Sequence, residues 1–313
     1  MTLPLIIADT PLDATVSGLL EGQVEILPWS ALMEPMASQV VGLYTYGHPV
    51  VDAELLNRLP SLKVVSNYGV GVDHIRLPAA SERGIPVGNT PGILDGATAD
   101  MGMTLLLAAA RRLPEGDRYA RSPQFTRYDP GYMLGREVHS STLGIIGLGR
   151  IGQQVAKRAR AFEMRVVYHN RRRNEKGETS VDATYVTFDE LLAQSDFVML
   201  CCPLTDETRG LIDANALAKM KPTAVLINIA RGPVVDTAAL TEALQSRQIY
   251  AAGLDVTAPE PLPRNHPLLK LDNVTIAPHL GSATDQTRRQ MAEISVENLL
   301  RGLRGKELLH RVV

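Results

Sequence analysis

The sequence has only two cysteines and no long apolar run, so it lacks the features that cross-link secreted proteins and anchor membrane proteins. Its two cysteines, Cys201 and Cys202, are adjacent, so they suit neither a disulfide framework nor a zinc-ligand pair, and buried reduced thiols are expected. No apolar run approaches the length of a bilayer span, and the opening residues lack the basic region of a signal peptide. A cytoplasmic protein without a membrane partner is therefore expected.

An excess of charge is also missing. The formal net charge is −2 over 313 residues, which leaves no global electrostatic footprint for nucleic acid. With 45% hydrophobic and 21% charged residues the composition is that of a globular protein, and the length allows two domains. The expected partners are small molecules or a second copy of the chain.

Several catalytic signatures are absent as well. The histidines build no H-E-x-x-H or similar metal spacing, so no metal site is expected. There is no G-x-x-x-x-G-K-[ST] loop and no G-x-S-x-G elbow. These absences argue against kinase and hydrolase functions.

What is present is a strand, turn and helix pattern from Thr142 to Asn170. An apolar run leads into Gly147-Leu148-Gly149-Arg150-Ile151-Gly152, and an amphipathic segment and a second β-rich run follow. Gly147 permits a tight turn, Gly149 lets a pyrophosphate approach the backbone, and Gly152 lets helix and strand pack closely. Such a turn can also serve packing alone, but its setting between two strands favours a dinucleotide site.

Short β-like runs alternate with helical segments along the rest of the chain, which predicts parallel sheets covered by helices. The strands are expected at Leu5–Ala8, Val24–Leu27, Val40–Tyr44, Leu62–Ser66, Ala183–Val186, Phe197–Cys201, Ala224–Ile229, Ala251–Val256 and Val274–Ala277. The apolar helix from Leu94 to Arg112 and the terminal helix from Thr284 to about Leu303 are natural crossings between a split first domain and an inserted cofactor domain. The active cleft is expected between the two domains.

Two irregular stretches interrupt this alternation. The loop from Asn67 to Asp73 carries two glycines that can present backbone N–H groups to an anion, although a structural turn fits equally well. A further loop is expected at Gly88 to Gly92. From Leu113 to Ser140, prolines break the periodicity and aromatic residues are interleaved, so this segment is predicted to be an irregular functional loop or an intermolecular arm.

Three polar residues each follow a different predicted strand of the cofactor domain: Arg231, Glu260 and His279. The carboxyl ends of parallel strands share one edge, so the three side chains can meet beside a bound nicotinamide. They form a working set for reducing a 2-oxo acid: a histidine to move the proton, a carboxylate to hold it protonated, and an arginine to fix the substrate. Individually they also fit a surface ion pair, a solvated glutamate and a capped core histidine.

At this point the chain resembles a known family, the D-2-hydroxyacid dehydrogenases, over nearly its whole length. The motifs that carry the resemblance are Gly147 to Gly152, Asn228-Ile229-Ala230-Arg231-Gly232, Leu254-Asp255-Val256 through Pro259-Glu260-Pro261, Pro278-His279-Leu280-Gly281-Ser282-Ala283-Thr284, Asn89-Thr90-Pro91, Ala97-Thr98-Ala99-Asp100 and Glu297-Asn298-Leu299-Leu300. Within that family, Pro261-Leu262-Pro263 and Gly302-Leu303-Arg304-Gly305 look most like the glyoxylate/hydroxypyruvate reductases.

The resemblance implies an α/β protein of two doubly wound parallel-sheet domains. A Rossmann cofactor domain, residues 97–284, is inserted into a flavodoxin-like substrate domain, residues 1–96 and 285–313. It implies a homodimer built through the cofactor domain, with the segment from Leu113 to Ser140 as the exchanged arm. No regulatory tail is expected after the terminal helix.

The resemblance also implies the site residues. Arg231, Glu260 and His279 form the catalytic set, and Asp255 contacts the nicotinamide carboxamide. The substrate is held by Val70, Gly71, Arg231, Ser282 and Tyr132. The cofactor is held by Thr98, Gly147, Gly149, Arg150, Ile151, Gly152, Cys202, Pro203, Ile229, Ala230, Arg231, Asp255, His279 and Gly281.

The end of the second cofactor-domain strand predicts which cofactor is preferred. An enzyme built for NAD normally has an acidic residue there to bind the ribose hydroxyls, but this chain has Asn170 followed by Arg171, Arg172 and Arg173. Guanidinium groups pair with a 2′-phosphate in fork geometry. Asn170, Arg171 and Arg172 therefore predict a preference for NADP(H), with NAD(H) possible and a solvated basic turn as the alternative.

The leading hypothesis is NADPH-dependent reduction of glyoxylate or hydroxypyruvate to the D-2-hydroxy acid. A second hypothesis keeps the fold but changes the substrate to phosphite, a bulkier 2-oxo acid or a phosphorylated hydroxy acid. A third is a nucleotide-regulated scaffold resembling a co-repressor, since such proteins share the dehydrogenase body.

Overall fold

The computed structural model describes residues 2–313, which form two units, each built on its own parallel β-sheet. Unit 1 contains the chain up to Leu94 together with Ala283–Val313, and unit 2 contains Asp95–Ser282. Unit 2 is therefore an insertion within the sequence of unit 1.

Strands and helices alternate along both units. The strands are β1 (Leu5–Ala8), β2 (Glu25–Pro28), β3 (Gly42–Thr45), β4 (Val64–Asn67), β5 (Val87–Gly88), β6 (Thr142–Ile146), β7 (Arg165–His169), β8 (Thr184–Tyr185), β9 (Phe197–Leu200), β10 (Val225–Asn228), β11 (Ala251–Leu254) and β12 (Val274–Ile276). The helices are α1 (Ala14–Leu20), α2 (Ala53–Arg58), α3 (Leu77–Ser81), α4 (Asp95–Ala110), α5 (Leu113–Ala120), α6 (Arg150–Ala161), α7 (Glu175–Val181), α8 (Phe188–Gln194), α9 (Ala214–Lys219), α10 (Thr237–Gln245) and α11 (Asp285–Leu303). Short 3₁₀ helices occupy Trp29–Met33, Pro35–Gln39, Gly232–Val234 and Pro267–Lys270.

Unit 1 has the strand order β2-β1-β3-β4-β5, and all of these strands pair in parallel. This is the flavodoxin-like doubly wound order. Strands β3 and β4 are buried along their whole length, as expected for a parallel sheet covered on both faces. The unit contributes the carboxyl ends of these strands, where doubly wound proteins bind ligands.

Unit 2 has the strand order β12-β11-β10-β9-β6-β7-β8, again with parallel pairing throughout. Counted from its first strand, this is the Rossmann order, and the direction of winding switches between β6 and β9. The predicted fold class, two doubly wound parallel-sheet units, is thus confirmed. The glycine turn follows β6 and so lies at the switch point.

Helix α4 packs closely on the sheet of unit 2 because glycines remove the side chains that would separate them. A Cβ added at Gly102 would lie 2.9 Å from Met199 Sδ, and one at Gly253 would lie 3.0 Å from Leu105 Cβ. Leu105 and Leu106 are buried. Burial of each such leucine contributes roughly 1.5–3 kcal/mol to the stability of the fold. The helix is apolar on most sides because most of its sides are buried.

Two local predictions were wrong. The segment from Leu113 to Ser140 is not irregular throughout, since α5 occupies its first part with Pro114 in the first turn, where a missing N–H costs no hydrogen bond. Gly88 belongs to strand β5 rather than to a loop, and a Cβ there would lie 2.9 Å from Asn298 Cβ. The expected boundary at 96/97 falls within the first turn of α4, and the one at 284/285 falls at the N-cap of α11.

Candidate active site

The glycine turn between β6 and α6 is shaped by close backbone contacts. Gly147 has φ of +104°, and a Cβ on it would lie 2.6 Å from the Cys202 nitrogen. A Cβ on Gly152 would lie 2.2 Å from the Gly147 carbonyl oxygen. No side chain larger than hydrogen fits at either position without moving backbone, so the turn requires both glycines.

The third glycine faces open space. A Cβ built on Gly149 would meet no atom within 4 Å, and Gly149 is the N-cap of α6 with no side-chain capping hydrogen bond. The first N–H groups of this helix are therefore available to an anion, and the helix dipole favours negative charge there. The turn thus fits the pyrophosphate of a dinucleotide, with Arg150 and Ile151 as the first helical residues.

Two asparagine side chains bracket the same turn. Asn170 Oδ1 accepts a hydrogen bond of 2.7 Å from the Leu148 N–H, and Asn174 Nδ2 donates one of 2.8 Å to the Leu148 carbonyl. Asn174 Oδ1 also accepts from the Gly177 N–H and so caps α7. Asn170, which is predicted to lie near the ribose, therefore also supports the glycine turn.

The three consecutive arginines have different surroundings. Arg173 forms a bidentate pair with Glu178 at 2.8 and 2.9 Å, and these hydrogen bonds lower the pKa of Glu178 to about 2. Arg171 is exposed and lies 3.4 Å from Glu207. Arg172 is exposed, and its guanidinium makes no hydrogen bond or ion pair with the rest of the described chain, residues 2–313. The first two arginines thus remain at the surface, whereas Arg173 supports the local fold.

Asp255, at the end of β11, fixes the loop that carries His279. Its two carboxylate oxygens accept hydrogen bonds from the Leu280 and Gly281 N–H groups at 2.7 and 2.8 Å, and its backbone carbonyl accepts from the His279 N–H at 2.9 Å. Burial raises the pKa of Asp255 above its usual range, against the effect of these hydrogen bonds. His279 is held with φ of +58°, an uncommon conformation for a residue with a side chain.

His279 and Glu260 form a hydrogen-bonded pair, with 2.7 Å between His279 Nδ1 and Glu260 Oε1. Burial alone would raise the pKa of Glu260, but the hydrogen bond and charge of His279, together with Arg231, lower it below its usual range. Glu260 is therefore a carboxylate near neutral pH. A carboxylate on Nδ1 fixes the orientation of the imidazole.

The loop of Arg231 packs directly against the loop of Glu260. A Cβ on Gly232 would lie 1.9 Å from the Thr257 carbonyl oxygen, so only glycine allows this approach. Asn228 holds the turn, since its Nδ2 donates to the Arg231 carbonyl at 2.9 Å and its Oδ1 accepts from the Ala230 N–H at 3.0 Å. The three predicted catalytic residues thus share the edge where β10, β11 and β12 end.

Other predicted cofactor residues surround the same edge. A Cβ on Gly281 would lie 3.0 Å from Asp255 Oδ2 and 3.3 Å from Thr98 Cγ2, so these three residues are neighbours. Of the remaining residues of the set, Cys202, Ile229 and Ala230 are buried. Pro203 is exposed, and its carbonyl accepts a hydrogen bond from Thr208 Oγ1. Burial raises the pKa of the Cys202 thiol to about 11, in line with an unreactive thiol.

The two other predicted substrate residues of unit 2 are less closely tied to this group. Ser282 follows Gly281 and is half-buried. Tyr132 packs on Tyr119, with 4.8 Å between ring centroids, and remains half exposed. No hydrogen bond joins Tyr132 to the Arg231, Glu260 and His279 group within the described chain.

In unit 1, the loop that contains Val70 and Gly71 follows β4. Gly69 has φ of +152°, and Asn67 Nδ2 donates to the carbonyls of both Gly69 and Gly71 at 3.0 Å. Asn89 Nδ2 donates to the Val70 carbonyl at 2.9 Å. Asn67, Asn89, Asn174 and Asn228 were not predicted as site residues. Asn89 and Asn228 belong to motifs that carry the family resemblance, whereas nothing in the sequence marks Asn67 or Asn174.

Neither a candidate metal cluster nor a helix able to span a bilayer is present among the residues that the structure describes. Within residues 2–313, no group of three or more histidine, cysteine and acidic side chains is placed to hold a metal ion. No helix over the same residues is long and apolar enough to span a bilayer.

Known proteins are similar to this chain in both sequence and architecture. The family model described as D-isomer specific 2-hydroxyacid dehydrogenase, NAD binding domain, matches residues 103–281. The glyoxylate reductase of Pyrococcus horikoshii is 44% identical over 299 residues, which cover 92% of this chain and 89% of the relative.

Two solved structures are similar over nearly their whole length. The NADPH-dependent glyoxylate/hydroxypyruvate reductase of Sinorhizobium meliloti, in complex with NADP and malonate, has a TM-score of 0.91 at 32% identity, covering 100% of this chain and 97% of that one. The D-lactate dehydrogenase of Aquifex aeolicus, complexed with NAD and lactic acid, has a TM-score of 0.89 at 29% identity, covering 99% of each chain.

The fold and site thus define a nicotinamide-dependent oxidoreductase with a Rossmann unit. More particularly, the chain belongs to the D-isomer specific 2-hydroxyacid dehydrogenase family, as its motifs indicated.

Proposed function

We propose that this chain reduces glyoxylate and hydroxypyruvate to the corresponding D-2-hydroxy acids, with NADPH as the preferred cofactor. The observation that carries the proposal is the His279–Glu260 pair, 2.7 Å apart, beside the Arg231 loop at the strand edge of the dinucleotide-binding unit. The names of its relatives support the choice of substrate, since the Pyrococcus horikoshii protein is a glyoxylate reductase.

The proposed mechanism divides the work among three side chains. When bound, a reduced nicotinamide supplies the hydride that adds to the carbonyl carbon. Because the Nδ1–H of His279 donates to Glu260, the Nε2 proton is the one given to the carbonyl oxygen, which becomes the hydroxyl of the product. Arg231 binds the substrate carboxylate and polarises the carbonyl through its planar guanidinium.

Further substrate contacts are proposed for each unit by itself. In unit 1, the backbone N–H groups of Val70 and Gly71 bind the substrate carboxylate. In unit 2, Ser282 contributes to the substrate pocket, and Tyr132 contributes to the pocket of a second subunit. Small 2-oxo acids suit such a set, because the carboxylate and carbonyl provide most of their binding groups.

The proposed preference for NADPH rests on Asn170, Arg171 and Arg172. An acidic residue at the first position would repel a 2′-phosphate, and Asn170 is neutral. Arg171 and Arg172 are exposed and can pair with the phosphate, whereas Arg173 is held by Glu178. Among the relatives, one binds NADP and another NAD, so the preference is a property to be measured for this chain.

The test is a set of initial rates of NADPH and NADH oxidation with glyoxylate, hydroxypyruvate, pyruvate and phenylpyruvate, and of NADP⁺ and NAD⁺ reduction with phosphite and a phosphorylated 2-hydroxy acid. We expect the highest kcat/KM with glyoxylate or hydroxypyruvate and NADPH. Chiral chromatography of the hydroxypyruvate product should give D-glycerate. A higher kcat/KM with phosphite, a phosphorylated 2-hydroxy acid or a bulky 2-oxo acid would replace the proposed substrate.

We further propose a homodimer formed through unit 2. The segment from Leu113 to Leu134 exposes large apolar side chains, with Tyr128 82% and Leu134 70% accessible. Such exposure is typical of an interface rather than of solvent-facing loops. Sedimentation velocity should show a dimer, Tyr128→Glu with Leu134→Glu should give a monomer, and Leu269→Glu, an exposed leucine elsewhere on unit 2, should not.

A further inference from the structure

In the loop after β4, the carbonyl oxygens of residues 69–71 accept hydrogen bonds from side-chain amides. The Gly69 carbonyl accepts from Asn67 Nδ2 and from the Thr90 N–H, each at 3.0 Å. The Gly71 carbonyl accepts from the same Asn67 amide at 3.0 Å, and the Val70 carbonyl accepts from Asn89 Nδ2 at 2.9 Å. Three successive carbonyls are thus turned toward two asparagines.

The direction of the N–H groups follows from that of the carbonyls. In a planar trans peptide the C=O of one residue and the N–H of the next point in opposite directions. The N–H groups of Val70, Gly71 and Val72 therefore point away from the two asparagines. None of the three donates a hydrogen bond to another of the residues 2–313. Successive N–H groups directed to one side form an anion-binding concavity.

We propose that Asn67 and Asn89 are positioning residues that hold these N–H groups in place for the substrate carboxylate. The inference rests on the proposed function, since it takes a 2-oxo acid as the anion. Neither asparagine touches the substrate in this scheme. Each acts through the backbone, and their effect is to fix the donors before the substrate arrives, so that binding requires no reordering of the loop.

Both asparagines are themselves held by neighbouring elements of unit 1. Asn67 is buried at the end of β4, and its Oδ1 accepts from Thr45 Oγ1 of β3 at 2.8 Å. The Asn89 carbonyl accepts from Asn298 Nδ2 of α11 at 3.0 Å, and the Asn89 N–H donates to the His310 carbonyl at 3.2 Å.

Asn298 Oδ1 in turn accepts from the His310 N–H at 3.2 Å. The hydrogen bonds of His310 and Asn298 therefore hold the backbone of Asn89 in place, and this orients the Asn89 amide toward the Val70 carbonyl. Since Asn298 is buried in α11, the support of the substrate loop extends to the last helix of the chain.

The experiment compares Asn89→Ala with the unaltered chain and with Asn57→Ala, which changes an exposed asparagine of α2 in the same unit. Asn89 is preferred over Asn67 because it is only partly buried, so its removal should leave the fold intact. Asn89→Gln keeps an amide donor on a longer side chain. The readouts are KM and kcat for glyoxylate, the Kd for NADPH from fluorescence titration, and the Kd for oxamate, a non-reducible 2-oxo acid mimic, in the presence of NADPH.

We expect Asn89→Ala to raise KM for glyoxylate and Kd for oxamate about 3- to 10-fold, the effect of one lost hydrogen bond, with kcat changed much less. Asn89→Gln should recover part of this loss. The Kd for NADPH should be unchanged in every variant, because the dinucleotide turn belongs to unit 2. Asn57→Ala should match the unaltered chain throughout.

An unchanged oxamate Kd in folded Asn89→Ala would overturn the inference, as would an equal loss of oxamate and NADPH binding. Failure of the proposed function gives a different result, because the unaltered chain would then turn over none of the 2-oxo acids. In that case the oxamate measurement still decides whether Asn89 orients an anion site.

Discussion

The turn after β6 and the loop after β4 both present backbone N–H groups beyond the carboxyl end of a buried parallel strand, but they are built differently. In unit 2, glycines allow the backbone to fold on itself, and a 12-residue helix begins there with uncapped N–H groups. In unit 1, no helix begins in the loop, and two asparagine side chains turn the carbonyls away. The first device depends mainly on close backbone contacts, with Asn170 and Asn174 bonded to Leu148, whereas the second depends on side chains that hold the backbone.

This difference has a consequence for how each device fails. A turn made of close backbone contacts has no tolerance for a Cβ, so a single substitution at Gly152 displaces backbone. A loop held by side-chain amides loses one hydrogen bond at a time, at a cost of about 0.5–1.5 kcal/mol each. We therefore expect large effects from changes in the turn and graded effects from changes around the loop.

The largest expected effect comes from a residue outside both devices. His279→Ala should lower kcat about 10²- to 10⁴-fold by removing the proton donor, and it should leave the Kd for NADPH nearly unchanged. The measurement is steady-state kinetics with fluorescence titration of the cofactor. His139→Ala, which removes an exposed histidine of unit 2, is the matched control. A wild-type kcat in His279→Ala would remove this residue from the mechanism.

Two glycines of the turn should respond differently to the same change. Gly152→Ala places a Cβ 2.2 Å from the Gly147 oxygen, so both folding stability and cofactor binding should suffer. Gly149→Ala meets no atom within 4 Å, so the Tm should stay close to wild type. Its methyl group nevertheless enters the space proposed for the pyrophosphate, and the Kd for NADPH should rise about 10-fold or more, as for a lost hydrogen bond to a charged group.

The control for this pair is Gly18→Ala in α1, where a Cβ also meets no atom within 4 Å. It should change neither the Tm by more than a small amount nor the Kd for NADPH. If Gly149→Ala binds NADPH as tightly as the unaltered chain, the open space is not where the phosphates bind.

The difference between the two devices also explains what the sequence could predict. The alternation of strands and helices and the turn at Gly147–Gly152 follow from apolar periodicity and glycine spacing, and the structure has both. The grouping of Arg231, Glu260 and His279 at one sheet edge follows from polar residues placed after successive strands. The supports at Asn89 and Asn174 could not be predicted, because their amides bond to backbone at Val70 and Leu148 that only the folded chain brings near. The hydrogen bonds of Asn67 are local, but they depend on the shape of the loop that follows it.

Local helix boundaries show a similar limit. Pro114 interrupts the apolar periodicity, yet proline in the first turn is compatible with a helix, and α5 begins at Leu113. Helix α7 was not predicted, because its N-cap Asn174 follows a run of arginines that carries no apolar period. In both places a polar or proline-containing segment forms a helix whose stability comes from capping and from its neighbours.

A smaller effect is expected at the edge of the turn, where cofactor preference is proposed to be set. Arg172→Ala should lower kcat/KM for NADPH about 10-fold while changing that for NADH little, because only NADPH carries the 2′-phosphate. Asn170→Asp should shift the preference toward NADH by repulsion. Arg83→Ala, an exposed arginine of unit 1, is the control. A preference for NADH in the unaltered chain would contradict the proposal.

The smallest expected effect is a pH-dependent loss of thermal stability from the Arg173–Glu178 pair, which follows the residues proposed to set cofactor preference. Arg173, Glu178 and Tyr168 form a hydrogen-bonded group, in which Glu178 Oε2 also accepts from the Tyr168 hydroxyl at 3.1 Å. The hydrogen bonds from Arg173 lower the pKa of Glu178 to about 2 in the folded chain, against roughly 4.3 when unfolded. A lowered pKa stabilises the folded state above the unfolded pKa, and this contribution is lost as the pH falls through the folded value.

Glu178→Gln should therefore lower the Tm at pH 6–7, and the difference from the unaltered chain should shrink as the pH falls from roughly 4.3 towards 2. Thermal unfolding followed by circular dichroism across this range measures it. Glu175→Gln is the charge-matched control, since Glu175 lies in the first turn of the same helix and makes no hydrogen bond to Arg173. Because the pair lies at the surface, solvent screening keeps the effect small, and added salt should reduce it. A Tm difference that stays constant from pH 7 to pH 2 would show that the Arg173–Glu178 pair does not stabilise the segment that carries Asn170 and Arg172.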